Sequence, residues 1–198
     1  MITRILRGAA LAAALSVLSV LSGCISISAA PAGPYASGSH AVTLGRTWGD
    51  ASAFAGAPKA VKMLTIDGWQ LNRLYVIDGL KSGDYIVRPA SKEKPTPTFK
   101  TGMTPIEQVE LVAESVAAMG YQRVETDGIR PVRVGDADGL RADISAKSPE
   151  GLNISGVTQI VEIQGRLYVI LYLAPAEHYF EATRAEVEAI MASARVTG

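Results

Sequence analysis

The stretch that decides the fold is "NISGVTQIVEIQGRLYVILYLA", which runs from Asn153 to Ala174. Two runs rich in β-branched and other apolar residues are joined by Gln164 and Gly165, a pattern that predicts a β-hairpin. The second run is apolar on both faces, with Leu167, Val169, Leu171 and Leu173 alternating with Tyr168, Ile170 and Tyr172. A strand of this kind is at least partly covered on both sides. We therefore expect it to lie centrally in a sheet.

The sequence before this hairpin predicts more antiparallel sheet. The stretch "GLRADISAK", Gly139 to Lys147, alternates apolar and polar residues as a half-buried strand does. Asp-Gly pairs tolerate the positive φ of tight hairpin turns, so we expect turns at Asp67-Gly68, Asp78-Gly79, Asp127-Gly128 and Asp138-Gly139. The alternative for "GDADG" is a calcium loop, but its glycine comes one position too early for the EF-hand pattern. We expect turns there and no metal.

Two helices are predicted on either side of this strand-rich region. Thr104, Pro105 and Glu107 form a capping-box pattern at the start of the first helix. Its apolar stripe consists of Ile106, Val109, Val112, Val116 and Met119. The second helix is expected from about Ala176 to Ala194, with an apolar stripe of Phe180, Thr183, Val187, Ile190, Met191 and Ala194.

The stretch "GRLYVILYLAPAEHYFEATRAEVEAIMASARV", from Gly165 to Val196, resembles the end of PsbP-like domains. The stretch "VKMLTIDGWQLNRLYVIDGLKSGD", from Val61 to Asp84, is similar to the front of a group of uncharacterised bacterial lipoproteins. The resemblance implies an α+β fold: an antiparallel sheet of about six or more strands flanked by two main helices. It also implies a binding or assembly module, and it brings no catalytic residue to this chain.

The first residues have the pattern of a secretory signal. Arg4 and Arg7 precede an uncharged run, Ala9 to Leu21, that is too short to span a bilayer. The following "LSGC" resembles the lipobox of bacterial lipoproteins, which implies cleavage between Gly23 and Cys24 and lipid on the Cys24 thiol, with fatty acyl chains such as palmitate. The alternative is ordinary signal-peptidase cleavage near "SAAPA", Ser28 to Ala32, which would leave no anchor.

These motifs predict three segments and a location. Residues 1–23 form the signal peptide, residues 24–41 a lipidated N-terminus and flexible tether, and residues 42–198 one globular domain. Small residues, proline and glycine dominate Ala29 to His40, and such a composition buries too little apolar area to become ordered. Ile25 replaces the aspartate that often retains Gram-negative lipoproteins in the inner membrane. We therefore expect the periplasmic face of the outer membrane.

Composition excludes several classes of function. The chain balances 19 basic against 19 acidic residues and has no basic patch of the kind that nucleic-acid binding needs. Two histidines and one cysteine are too few for a zinc site, and the P-loop, the G-x-G-x-x-G turn and the G-x-S-x-G elbow are absent. No cofactor is expected.

Two functions are left by the sequence. The first is a binding or assembly module for an envelope protein partner, with Trp48 either forming the partner surface or packing on the sheet edge. The alternative is a periplasmic hydrolase that uses His178 with carboxylates or with a serine such as Ser155 or Ser193. We expect the binding module and no enzymatic activity.

Overall fold

The computed structural model describes residues 27–54 and 56–197. The predicted signal peptide, its cleavage site after Gly23 and the lipidation site Cys24 lie outside the described residues. Among the described residues, no helix is both long enough and apolar enough to cross a membrane.

The described residues form strands and two α-helices, and the second helix begins with a π-helical turn. The elements are β1 (Ser28–Ala30), β2 (Gly33–Ser37), β3 (His40–Leu44), β4 (Trp48–Asp50), β5 (Val61–Thr65), β6 (Arg73–Leu80), α1 (Pro105–Ala118), β7 (Gln122–Val134), β8 (Ala137–Lys147), β9 (Asn153–Ile163), β10 (Arg166–Pro175), the π turn (Ala176–Phe180), α2 (Glu181–Ala192) and β11 (Arg195–Val196).

The strands form one large and one small antiparallel sheet. The large sheet has eight strands in the order β1-β4-β5-β6-β10-β9-β8-β7, and the small one has three in the order β11-β3-β2. The prediction of an α+β fold with an antiparallel sheet of six or more strands and two main helices is confirmed.

The predicted central hairpin is present. Ile163 pairs with Arg166, so Gln164 and Gly165 alone make the turn, with φ values of 52° and 70°. These positive angles are those of the two-residue turns that match strand twist. β10 lies between β6 and β9, which is the central position that its two apolar faces predict.

The two faces of β10 contribute to two separate hydrophobic cores. Leu167, Val169, Leu171 and Leu173 pack in the core that α1 covers, whereas Tyr168, Ile170 and Tyr172 pack in the core that α2 covers. The predicted stripe of α2 is buried throughout. The stripe of α1 is buried at its centre, but Ile106 is 61% exposed, because the first turn of α1 extends beyond the core. The capping box is confirmed, with the Glu107 carboxylate 2.6 Å from the Thr104 amide nitrogen.

The Asp-Gly pairs do not all form turns. Asp67-Gly68 lies in the turn between β5 and β6, but the other three pairs lie inside strands. Gly79 and Gly128 have positive φ values of 48° and 58° within β6 and β7, and the register of β7 shifts beside Gly128. Positive φ is needed at a strand bulge as well as at a turn, so the sequence signal is ambiguous between the two.

The predicted flexible tether is wrong for residues 28–41. β1 pairs with β4, and β2 forms a hairpin with β3. The small residues of this segment add little burial of their own, but they gain strand hydrogen bonds and His40 is 2% exposed. Composition does not reveal such partners from elsewhere in the chain, so the folded domain includes β1, β2 and the start of β3, which lie before residue 42.

Candidate functional site

The sheet faces and the long sheet edge leave little room for a partner. α1 covers one face of the large sheet, and α2 together with the small sheet covers the other. The outer strand β7 carries Pro131 and irregularities at Arg123 and Gly128, where φ is positive. Prolines, charges and bulges are features that prevent a further strand from pairing with a sheet edge. The ends of the sheet therefore have more room for a partner than its faces or its β7 edge.

Three turns converge at one end of the sheet around an open groove of about 490 Å³. They are the β5–β6 turn, the end of α1 with the residue that follows it, and the β8–β9 turn. We call this surface the Trp69 groove; its principal lining residues are Trp69, Arg73, Met119, Tyr121, Leu152 and Pro175. Trp69 is 40% exposed and Leu152 is 52% exposed.

The turn that carries Trp69 is held by one buried amide. Asn72 is 1% exposed, and its Oδ1 accepts hydrogen bonds from the Thr65 hydroxyl and the Ile66 amide, both at 2.9 Å. Its Nδ2 donates to the Asp67 carboxylate at 2.7 Å. Buried and satisfied polar networks of this kind fix one conformation, so Trp69 stands on a rigid turn.

The other two turns are also closed by hydrogen bonds. Gly120, at φ 99°, ends α1 and donates to the carbonyl of Ala117, which places Tyr121 beside the groove. In the β8–β9 turn, the Ser148 amide donates to the Leu152 carbonyl at 2.9 Å, and the Leu152 amide donates back to the Ser148 hydroxyl at 3.2 Å. The groove is thus shaped before any ligand arrives.

Arg73 lies between two aromatic rings in this groove. Its guanidinium carbon is 5.5 Å from the centre of the Trp69 ring and 5.7 Å from that of the Tyr121 ring. Its Nε donates to the Trp69 carbonyl at 2.6 Å. Burial raises the pKa of Tyr121 above its usual value of 10.0, so its ring remains uncharged at neutral pH. The arrangement is a positively charged group on an aromatic support.

Sequence reasoning missed this groove. Trp69, Tyr121 and Leu152 are far apart in the chain, and only the fold brings them together. One local signal was available, since a tryptophan directly after an Asp-Gly turn is placed on the surface. A second hollow, of about 520 Å³, is lined by residues 85–95 of a single connection. The Trp69 groove is better defined, because its walls come from several elements.

Trp48 is not a partner surface. The side chain is 1% exposed in the core under α2, and its indole Nε1 donates to the Glu186 carboxylate at 3.0 Å. Glu186 also pairs with Arg46 at 2.8 Å. The packing alternative is correct for Trp48 and the partner alternative is wrong, because the ring is buried and Glu186 of α2, far away in sequence, accepts from its N–H group.

His178 is exposed in the π turn, with its ring 5.1 Å from the Tyr179 ring, edge to face. Within the part of the chain that the structure describes, no serine hydroxyl or carboxylate forms a hydrogen bond with it. Ser193, one of the two proposed nucleophiles, instead donates to the Ile190 carbonyl at the end of α2. The structure therefore does not bring together the residues that the hydrolase hypothesis needs.

A buried histidine lies elsewhere in the fold. His40 Nδ1 is 2.8 Å from the Ile77 carbonyl, and burial lowers the pKa of His40 below its usual value. The Asp78 carboxylate accepts from the Ser39 amide at 2.9 Å and from the Ser39 hydroxyl at 2.7 Å. Serine, histidine and aspartate thus lie close together, but the aspartate holds the serine and not the imidazole. The cluster attaches the β2–β3 hairpin to β6 and is not a catalytic triad.

The "GDADG" stretch, for which a calcium loop is the alternative interpretation, contacts an arginine in the structure. Arg133 pairs with the Asp138 carboxylate at 2.6 Å and also donates to the Asp136 carbonyl. Within residues 27–54 and 56–197, no three histidine, cysteine or acidic side chains are grouped as a metal site would require.

Comparison with known proteins bears on the fold. No family model matches the chain, and no curated protein matches it. Among solved structures, cyanobacterial PsbP (CyanoP) from Synechocystis sp. PCC 6803 aligns with a TM-score of 0.55 and 13% identity, over 91% of this chain and 99% of that one. The Saccharomyces cerevisiae Ran-binding protein Mog1p aligns with a TM-score of 0.51 and 11% identity, over 86% and 96%.

A third structure is more distant. LpqN of Mycobacterium tuberculosis, which is involved in cell envelope biogenesis, aligns with a TM-score of 0.38 and 14% identity, over 87% of this chain and 92% of that one. At these identities the likeness concerns the fold alone. The resemblance to PsbP-like domains is confirmed at that level: the chain has a PsbP-like fold.

Proposed function

We propose that this protein is exported, carries lipid on Cys24 and binds an envelope protein partner through the Trp69 groove, without catalysing a reaction. The observation that carries the proposal is the groove itself: exposed apolar side chains beside a cation, all held on rigid turns. Tryptophan, tyrosine and arginine are the side chains that most often carry the binding energy of protein interfaces, and this groove presents one of each: Trp69, Tyr121 and Arg73. The fold accommodates such a role, since Mog1p, which aligns with this chain, is a Ran-binding protein.

The lipid anchor is proposed from the lipobox "LSGC", Leu21 to Cys24, and the location on the periplasmic face of the outer membrane from Ile25. β1 begins at Ser28, so only residues 25–27 separate the anchor from the ordered domain. Three extended residues span about 10 Å. The domain would therefore sit against the membrane rather than at the end of a long tether.

Metabolic labelling tests the anchor. Wild-type protein should incorporate an alkyne-labelled palmitate and remain with outer-membrane fractions after a high-salt wash. Cys24→Ala should carry no label, because the thiol is the group that is acylated. A Cys24→Ala variant that is labelled and anchored as strongly as the wild type would contradict this part of the proposal.

Site-specific photo-crosslinking in intact envelopes tests the groove. A benzophenone amino acid at Leu152 should give a discrete protein adduct, because this side chain is 52% exposed inside the groove. The matched control is the same probe at Ile106, which is 61% exposed on α1. Trp69→Ala should abolish the adduct formed from position 152. An adduct that also forms from position 106, or that persists in Trp69→Ala, would place the partner elsewhere.

A further inference from the structure

We infer that the Trp69 groove takes an acidic segment of a protein partner: Arg73 binds a side-chain carboxylate, and the apolar wall takes an apolar side chain next to it. This inference rests on the proposed function, whose partner it describes chemically. It follows from the geometry of Arg73, from the charge around it and from the shape of the wall.

Arg73 is held in place before a ligand binds. Its Nε–H is used by the Trp69 carbonyl, and its central carbon lies within 6 Å of the centres of both the Trp69 and the Tyr121 rings. A guanidinium has five N–H donors, of which four belong to the two terminal nitrogens. A planar guanidinium that is already oriented loses little entropy when it donates to a carboxylate, and it can bind both carboxylate oxygens at once.

The charge of Arg73 is not neutralised within the part of the chain that the structure describes. Of the ten arginines among the described residues, four pair with a carboxylate, namely Arg46, Arg130, Arg133 and Arg184, and what distinguishes Arg73 among the other six is the pair of aromatic rings beside it. Arg73 has none, although Glu150 lines the same groove. The aromatic rings favour the cation but do not cancel its charge. A ligand carboxylate would supply the missing partner.

The apolar wall beside Arg73 favours a ligand with an apolar side chain next to its carboxylate. Trp69 and Leu152 are exposed large apolar side chains, and Met119 and Pro175 continue the surface between them. An apolar side chain of the ligand would remove this area from water. Glu150 also lines the groove, so it is the Arg73 guanidinium, and not the net charge of the groove, that favours a polypeptide with a carboxylate next to an apolar side chain over a wholly apolar one.

The experiment uses the purified full chain in detergent micelles and three blocked peptides. One contains Leu-Asp-Leu, the second Leu-Asn-Leu and the third Gly-Asp-Gly, each acetylated and amidated. The chain has only two tryptophans, so the two indole N–H signals in a ¹⁵N spectrum report on the groove through Trp69 and on the buried core through Trp48. The Trp48 signal serves as an internal control of folding.

The Leu-Asp-Leu peptide should shift the Trp69 signal and leave the Trp48 signal unchanged. The Asn and Gly peptides should bind at least about fivefold more weakly, because each lacks one half of the recognised pair. Arg73→Met should reduce the discrimination between Asp and Asn to less than about twofold, while Arg166→Met, at an exposed arginine outside the groove, should retain it. Equal affinity for the Asp and Asn peptides would overturn the inference, and this comparison needs no variant.

Vesicles of phosphatidylglycerol distinguish the other source of negative charge. A shift of the Trp69 signal with vesicles but not with the Leu-Asp-Leu peptide would overturn the inference in favour of a membrane contact. Failure of this inference can be distinguished from failure of the proposed function. A photo-crosslink from position 152 without Asp–Asn discrimination would leave the partner site standing and remove only its acidic preference.

Discussion

Replacement of Trp48 by alanine should lower the free energy of unfolding by about 3–5 kcal/mol. The indole is 1% exposed in the core under α2, and a buried aromatic side chain of this size removes about 150–250 Å² from water. At about 25 cal/mol per Å², that area corresponds to roughly 4–6 kcal/mol, an upper estimate because the unfolded chain is already partly compact. Glu186 retains Arg46 as a partner at 2.8 Å, so the loss of its contact with the indole adds little to the destabilisation.

Two matched variants separate burial from hydrogen bonding. Trp48→Phe keeps most of the packing but removes the N–H donor to Glu186, and it should cost about 1–2 kcal/mol. Trp69→Ala removes a side chain that is 40% exposed and contacts Arg73 through its ring, and it should cost about 1 kcal/mol or less. Urea denaturation followed by far-ultraviolet circular dichroism measures all three. A Trp69→Ala variant less stable than Trp48→Ala would refute the reasoning.

Three further predictions concern a helix contact, a strand contact and a buried histidine. Ile190→Ala should lower the free energy of unfolding by about 2–5 kcal/mol, because Ile190 is 1% exposed. Ile106→Ala, at a residue that is 61% exposed, should change it by less than about 0.5 kcal/mol. Urea denaturation midpoints of the two variants measure the difference. Gly156→Ala would place a Cβ 2.8 Å from a backbone oxygen of the neighbouring strand and should lower the melting temperature, at a cost of about 1–3 kcal/mol. Burial lowers the pKa of His40 below 6.5, so the unfolded chain takes up a proton first as the pH falls through 6.5 and stability should decline from there. His40→Gln should flatten that decline in urea titrations between pH 7.5 and 5.

Local patterns in the sequence were sufficient to predict the central strand of the large sheet and the start of α1. The two apolar faces of β10 are explained by its position between β6 and β9, and the capping box marks the start of α1 in both sequence and structure. Such features depend on residues within a few positions of one another. They identify an element and its buried face before any tertiary contact is known.

Three failures concern contacts between distant parts of the chain. The segment before residue 42 reads as a tether because its strand partners, and the Asp78 carboxylate that binds Ser39, lie elsewhere in the sequence. Trp48 has polar neighbours in sequence, but Glu186 in α2 satisfies its N–H group in the core. The Trp69 groove is missed for the same reason, since three turns separated by tens of residues build it.

The affinity of the groove for its cross-linked partner tests the central claim most directly. Once the adduct from position 152 identifies that protein, binding of the purified pair can be measured by biolayer interferometry in one detergent. Trp69→Ala should raise the dissociation constant at least about tenfold, as truncation of an aromatic anchor does. Ile106→Ala should leave the dissociation constant within about twofold of the wild-type value. Equal affinity of the wild type and Trp69→Ala would contradict the assignment of the Trp69 groove as the binding site.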